Sequence, residues 1–411
     1  MKCPRSRPIP EVSSIGLRRQ FSWILVGRLA GAVIQALSLM LVARWSGPQA
    51  FGLFSSIYGI AIVIQTVVDF GLTTHITRLR AADPGSGDIG AALRLGRNIT
   101  ILTTVVGTGF LVAAGFVAPS LFPLVLLPLW MSSEKQVEAW LAVALADGNT
   151  WQNASSLVFR RIGALVVLVA GYFLGLDPVM TYVFGLALFS LLAWALAYYM
   201  TDGVHSGATV PVRRLLKAGR PYWVNSLSVQ ARNFDVSIVA LVTTPVAAGY
   251  YAAASRLTTP LRMVPTSFAA VLLPATTRST RGNARPFIKA IAAMTALTTV
   301  MYVGLAVALP ILVPVILGPS YEPASTVIQI VCFGLIAAAI TSQFNALMQG
   351  WGYLRPVAVI ATCTTVYCLV AIVVLAIPYG AVGAGIALAS SYVIQLVLQI
   401  ATMIILSKRA V

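Results

Sequence analysis

Leu41-Val42-Ala43-Arg44-Trp45-Ser46-Gly47-Pro48-Gln49-Ala50-Phe51-Gly52-Leu53-Phe54 ends one apolar run at a Gly-Pro turn and opens the next at once. A connection this short between two helix-length apolar runs joins consecutive membrane-spanning helices. A second version lies 197 positions on, where Thr244-Pro245-Val246-Ala247-Ala248-Gly249-Tyr250-Tyr251 repeats the Pro, the Ala two later, the Gly four later and the bulky pair that follows. The echo divides the chain into two halves of one design.

Working outward, the composition agrees. Of the 411 residues 58% are hydrophobic and 9% charged, far below the roughly 25% charged residues of soluble domains. Runs of about 20 apolar residues, enough to cross roughly 30 Å of hydrocarbon as a helix, recur from Trp23 onward. They predict twelve spans, at 23–43, 50–72, 97–117, 120–146, 157–175, 179–200, 221–243, 247–273, 288–312, 324–348, 356–377 and 380–406. Two further echoes support duplication. Ala144-Leu145-Ala146-Asp147-Gly148 matches Ala346-Leu347-Met348-Gln349-Gly350 at an offset of 202, and Gly185-Leu186-Ala187-Leu188-Phe189-Ser190 matches Gly385-Ile386-Ala387-Leu388-Ala389-Ser390 at 200. The expected fold is an all-α polytopic membrane protein with twelve transmembrane helices in two six-helix lobes related by parallel duplication. A cytoplasmic segment 1–22 precedes lobes at 23–205 and 206–411.

The net charge of +17 is distributed as a membrane topology signal. Twenty-two of the 28 Lys and Arg residues fall in alternate gaps between spans, among them Arg78, Arg80, Arg94, Arg97, Arg160, Arg161, Arg213, Arg214, Lys217 and Arg220, whereas the opposite gaps hold Arg44 alone. This bias places both termini and the basic loops in the cytoplasm, against anionic headgroups, and argues against a nucleic-acid partner. A short cytoplasmic helix ending in Arg94 and Arg97 is expected before span 3. The first apolar run follows about twenty polar residues and lacks a small-residue cleavage site, so it is read as a retained span. Cys3, Cys332, Cys363 and Cys368 have no zinc-like spacing and read as apolar fillers.

Polar residues inside the spans carry the functional signal. A charge at the bilayer centre costs roughly 2.5–3.5 kcal/mol by insertion scales, so it normally faces a bundle interior or a wet cavity. Arg28 and Gln35 share a face of span 1. Ser55, Tyr58, Gln65 and Asp69 line span 2. Asn225, Ser228, Arg232 and Asp235 form a stripe on span 7, while Arg256 and Arg262 sit in span 8 beside Pro260 and Pro265, where a bend is expected. Span 4 contains Glu134, Lys135 and Glu138; Lys135 and Glu138 are spaced to pair, and a water-exposed break there is the alternative. Arg28, Arg232, Arg256 and Arg262 are expected to converge on a cationic cavity between the lobes, with guanidinium forks suited to phosphate. Gln35 and Asn225 would join them. The plainer alternative pairs Arg232 with Asp235 and lets Arg28 snorkel. Asp69, Glu134, Glu138 and Asp235 are the candidates for proton or sodium coupling. No catalytic constellation, cofactor site or ATP-binding loop is visible.

Gly47-Pro48-Gln49-Ala50-Phe51-Gly52-Leu53-Phe54, followed by Asp69-Phe70-Gly71-Leu72, resembles the start of the polysaccharide-transporter (O-antigen, Wzx-type flippase) family of the multidrug/oligosaccharidyl-lipid/polysaccharide exporter superfamily. Leu317-Gly318-Pro319-Ser320-Tyr321-Glu322-Pro323-Ala324 and Pro378-Tyr379-Gly380-Ala381-Val382-Gly383-Ala384-Gly385 resemble its outer turns. The resemblance implies a bacterial inner-membrane flippase that moves a polyprenyl-diphosphate-linked oligosaccharide between leaflets by alternating access, alongside polysaccharide polymerase and export machinery. Tyr58, Trp140, Trp223, Tyr250 and Tyr251 would then be available to stack on sugars. A cation antiporter on the same scaffold, and a non-transporting scaffold for polysaccharide assembly, are the competing readings.

Overall fold

The computed structural model describes residues 14–201, 210–277 and 285–408, apart from the side chains of residues 14–25, 221, 225, 228, 229, 270, 271, 273–275, 277, 285, 286, 354 and 406–408. Most of the N-terminal segment, the lobe boundary at 205/206, His205 and the basic pair Arg278 and Arg281 lie outside the described residues. So do the side chains of Asn225 and Ser228.

The described residues form thirteen α-helices: α1 Ser14–Asp69, α2 Leu72–Ala82, α3 Gly87–Val117, α4 Leu127–Ala146, α5 Thr150–Phe173, α6 Pro178–Met200, α7 Val212–Gln230, α8 Asp235–Val242, α9 Pro245–Leu257, α10 Thr259–Thr277, α11 Arg285–Leu317, α12 Ala324–Gly350 and α13 Leu354–Lys408. Seven contain stretches long and apolar enough to span a membrane. Two of these seven are double crossings, because α1 breaks at Gly47 (φ 76°, ψ 170°) and α13 at Gly380 (φ 57°, ψ −135°). Both backbone conformations are essentially restricted to glycine. The Gly-Pro turn therefore does what its sequence requires. The acidic and basic residues of α4 keep it below the apolar threshold, and α7–α8 and α9–α10 are each interrupted; these three supply the remaining crossings of the expected twelve.

Several local expectations are corrected. Span 7 is interrupted by a 3₁₀ turn at Ala231–Phe234, although no Gly or Pro marks the place. Span 8 does break where a bend is expected, at Thr258 between Arg256 and Arg262, and Pro260 sits in the first turn of α10, where its missing N–H forfeits no helical bond. Span 4 has no break at Glu134; the irregular piece is a 3₁₀ turn at Pro119–Leu124, before α4. The short helix after span 2 is α2, and Arg94 and Arg97 belong to the start of α3. Arg160 and Arg161 are not in a loop: α5 begins at Thr150 and buries both.

The halves meet along a seam where backbone touches backbone. A Cβ on Gly52 would overlap the Pro245 carbonyl oxygen, and one on Gly249 would overlap that of Pro48. The two copies of the repeated motif thus pack on each other reciprocally, as a pseudo-twofold relation demands. Midway, the second arm of α1 meets α8, with Ser237 Oγ donating to the Ser56 carbonyl at 2.7 Å. Near the end that carries the start of α1 and the end of α13, here the termini face, Gly71 lies against the Gly219 carbonyl and Gly219 against that of Phe70. At the far end Arg44 donates to the carbonyls of Val315 and Ile316, covering the exposed C-terminal acceptors of α11 with a positive charge. The seam is closed at both ends.

On the termini face Arg80 forks onto Asp147 through bonds of 2.8 and 2.9 Å, which raises the guanidinium above its ordinary value. Burial lowers His75 below its ordinary 6.5. The unfolded chain then binds this proton more readily, so the contribution of neutral His75 is complete above that pH and declines as pH falls below it.

The seam predicts a contrast between glycines. Gly52→Val should destabilise the purified protein by about 1–3 kcal/mol through overpacking, lowering its thermal midpoint. Gly304→Ala in α11, where nothing lies within 4 Å of the added Cβ, should be neutral or stabilising by up to about 1 kcal/mol. Equal losses in thermal melts would contradict the seam.

Candidate functional site

The two interruptions in the second half build the site. The 3₁₀ turn after α7 presents Arg232 and Asn233, and the broken α9–α10 pair presents Arg256 and Arg262. Opposite them α13 contributes Thr362, Tyr392 and Gln395, and together they enclose a cavity of about 660 Å³. Arg232 Nη2 donates to Ser391 Oγ at 2.6 Å and its guanidinium lies 4.8 Å from the centre of the Tyr392 ring. The Arg262 guanidinium lies 5.3 Å from that ring, so one aromatic ring serves two cations. Arg256 Nη1 donates to Asn233 Oδ1 at 2.9 Å, and its Nη2 is 3.7 Å from Asp235 Oδ1. The carboxylate also accepts from Tyr251 Oη at 3.2 Å and from the Val236 N–H at 2.7 Å.

Asp235 is therefore tied to Arg256, not to Arg232 as the sequence spacing suggested. Three guanidinium groups face one carboxylate in the lining. Arg232 Nε, Arg256 Nε and Arg256 Nη2 are buried with no hydrogen-bond partner. Donors withdrawn from water without an acceptor are costly, and an anion entering the cavity would relieve that cost.

The expected chamber between lobes is corrected on two counts. The cavity is lined wholly by residues of the second half, from Val224 to Gln395. Arg28 is exposed on the first arm of α1 and does not line it; its long stem lets the charge reach the membrane surface. Gln35 stays in the first lobe, where its Nε2 donates to Tyr58 Oη at 3.0 Å. None of the five aromatic residues proposed for sugar stacking lines the cavity. Tyr58 stacks on Trp130 at 4.7 Å, Tyr250 meets Tyr321 edge-on, and Trp140 meets Tyr198 edge-on. Tyr392, which no sequence pattern singled out, is the aromatic that lines it.

A second buried charge cluster occupies the first lobe. Arg160 Nη1 lies 2.6 Å and Arg161 Nη2 3.2 Å from Glu134 Oε1, and Ser190 Oγ donates to Glu134 Oε2 at 2.8 Å. These three ionised side chains are at most 10% exposed. Lys135 pairs with Glu138 at 2.6 Å, as the spacing predicts. Asp69 accepts a hydrogen bond from Thr73. Of the four acidic candidates for ion coupling, Asp235 alone lines the arginine cavity.

Residues 17–280 match the family described as polysaccharide biosynthesis protein. The chain belongs to that family. No curated protein sequence matches it. Among solved structures, a lipid II flippase MurJ in an inward closed conformation matches with a TM-score of 0.72 and 14% identity over 93% of this chain and 87% of that one. An inward-facing multidrug resistance MATE transporter gives 0.69 at 14% identity over 92% and 96%. A MOP superfamily transporter from Pyrococcus furiosus, described as having a binding pocket of reverse polarity, gives 0.61 at 13% identity over 95% of each chain. At such identities the likeness is one of fold: this polysaccharide biosynthesis protein is a multi-pass membrane protein with the transporters' twelve-helix, two-lobe architecture.

The first-lobe cluster generates a prediction independent of substrate. Glu134→Gln strands two buried cations and should cost the polysaccharide biosynthesis protein about 3–5 kcal/mol, seen as a large fall in thermal midpoint. Lys135→Gln, whose partner Glu138 is 44% exposed, should shift it little in the same assay.

Proposed function

We propose that the protein is a flippase that carries a polyprenyl-diphosphate-linked oligosaccharide across the bacterial inner membrane for surface polysaccharide synthesis. The observation that carries this reading is the convergence of Arg232, Arg256 and Arg262 on one cavity of about 660 Å³. Fixed, partly buried guanidinium donors suit a diphosphate, which accepts several charge-assisted hydrogen bonds at once. The hydroxyls and amide of Thr362, Thr364 and Gln395 suit the adjoining sugar, while the polyprenyl tail stays in lipid. Family membership and the fold of a lipid II flippase support the same reading.

Movement follows alternating access. The glycine seam opens first at one end and then at the other, and the cavity beside it is exposed to each face in turn. Both termini lie in the cytoplasm, a placement that the distribution of basic residues supports, so loading occurs from the termini face. Asp235 is the coupling group for a proton or sodium ion: it shares the cavity with the arginines, and changing its charge alters the hold on Arg256. A cationic drug would meet repulsion in this lining, which disfavours the multidrug antiporter suggested by the likeness to MATE transporters.

Arg232→Ala and Arg256→Ala should each lower flipping of a short-chain diphosphate-linked sugar in proteoliposomes at least about tenfold, as expected for losing a charge-assisted contact. Arg28→Ala should leave it close to wild type. Wild-type rates in both cavity variants would refute the substrate assignment. Asp235→Asn should retain binding and lose the dependence on a proton or sodium gradient.

A further inference from the structure

A larger concavity of about 1240 Å³ lies on the termini face, at the start of α7, with Arg213, Arg214, Lys217 and Arg220 in its wall beside Phe70 and Trp223. All four cations are exposed. Arg214 is held by Asp88 at 3.0 Å; among the described residues, the other three have no anionic partner. Arg213, Lys217 and Arg220 recur at intervals of four and three, so they form one stripe along the helix. Continued by four residues, that stripe reaches Val224, which lines the arginine cavity. From Arg213 to Val224 the helix rises about 16 Å, so a single face of α7 leads from the outer concavity to the inner one.

The inner wall of this concavity is also where the seam closes. Phe70 and Trp223 pack with ring centres 5.5 Å apart. Phe70, with φ of 49°, is the one non-glycine residue of positive φ among those described, and Gly71 follows it against Gly219. A bulky side chain held in the left-handed region at a contact between halves marks a place that the surrounding packing over-determines.

We propose that this concavity is a capture site for the diphosphate headgroup of the lipid-linked substrate, occupied before the arginine cavity and separated from it by the Phe70–Trp223 contact. The inference rests on the substrate class assigned above. Contact with bulk phospholipid needs only a flat basic rim, whereas here the cations line one wall of a hollow and lead along one helical face to the inner site. The incoming anion first meets solvated charges that bind and release it readily, and opening of the seam then passes it along the stripe to donors buried without partners.

The test is equilibrium binding of radiolabelled farnesyl diphosphate to the full chain in phosphatidylcholine nanodiscs. Wild type should bind two equivalents. Arg213→Gln/Lys217→Gln/Arg220→Gln, which leaves the Arg214–Asp88 pair intact, should weaken one equivalent by at least about 100-fold, given roughly 1 kcal/mol per basic residue near a membrane surface, and keep the other, whose retention reports a folded cavity. Lys217→Gln alone should weaken the same equivalent about fivefold and decides the matter if the triple variant loses both. Wild-type binding by the triple variant, or by Lys217→Gln where the triple variant has lost both equivalents, overturns the proposal. So does displacement of the probe from this site by phosphatidylglycerol as effectively as by unlabelled diphosphate, which would make the site a general phospholipid contact. If Arg232→Gln/Arg256→Gln keeps both equivalents while the triple variant loses one, the capture site stands and the cavity assignment fails.

Discussion

Everything in this molecule depends on how closely two helical backbones approach where the halves meet. Gly52 against the Pro245 carbonyl and Gly249 against the Pro48 carbonyl leave no room for a side chain. Small residues permit this approach in a membrane, where association relies on packing and not on expulsion of water. The contact is reciprocal because the same short motif was duplicated, so one turn sequence both reverses the chain and supplies half of an interface. With the backbones this close, the polar groups on α8 and α9 are covered by the second arm of α1 instead of by lipid.

Burial of charge in hydrocarbon is resolved differently in the two lobes. In the first, Glu134 lies between Arg160 and Arg161 with Ser190 completing its shell, an arrangement that leaves one surplus positive charge. In the second, Arg232, Arg256 and Arg262 are divided among one carboxylate, an asparagine, a serine and the face of Tyr392, and they surround open space. The first arrangement centres two cations on one carboxylate and holds helices together, although Arg160 Nη1, Arg161 Nε and Arg161 Nη1 are also buried without a hydrogen-bond partner. The second shares its donors around a cavity that an anion can enter and leave, which is what a reversible anion site requires.

Much of this was legible in the sequence, for reasons that differ by residue. The Gly-Pro turn and its echo could be read because a backbone conformation that only glycine tolerates is a local property. Arg232, Arg256 and Arg262 stood out because guanidinium groups in apolar runs demand an inward partner. Arg28 obeyed the same rule and was misplaced, since periodicity tells which residues share a face and not what covers that face. Arg160 and Arg161 were hidden by position: adjacent arginines at the edge of an apolar run look like the end of a span until Glu134 on the neighbouring helix is known. The interruption at Ala231–Phe234 has no helix breaker in it and arises from tertiary packing, while Ser391 and Tyr392 sit in an apolar stretch where nothing distinguishes a cavity wall from a core.

The ion cluster of the first lobe also bears on how the chain is made. Translation delivers α4 with Glu134 before α5 with its two arginines, and α4 is not among the helices apolar enough to cross a membrane unaided. A lone carboxylate resists partitioning from the translocon into lipid, whereas one already paired across the two legs of a helical hairpin resists it less. The pair must therefore leave the ribosome-bound channel together, and the Gly148 turn between them is short enough to let the second leg arrive while the first still waits.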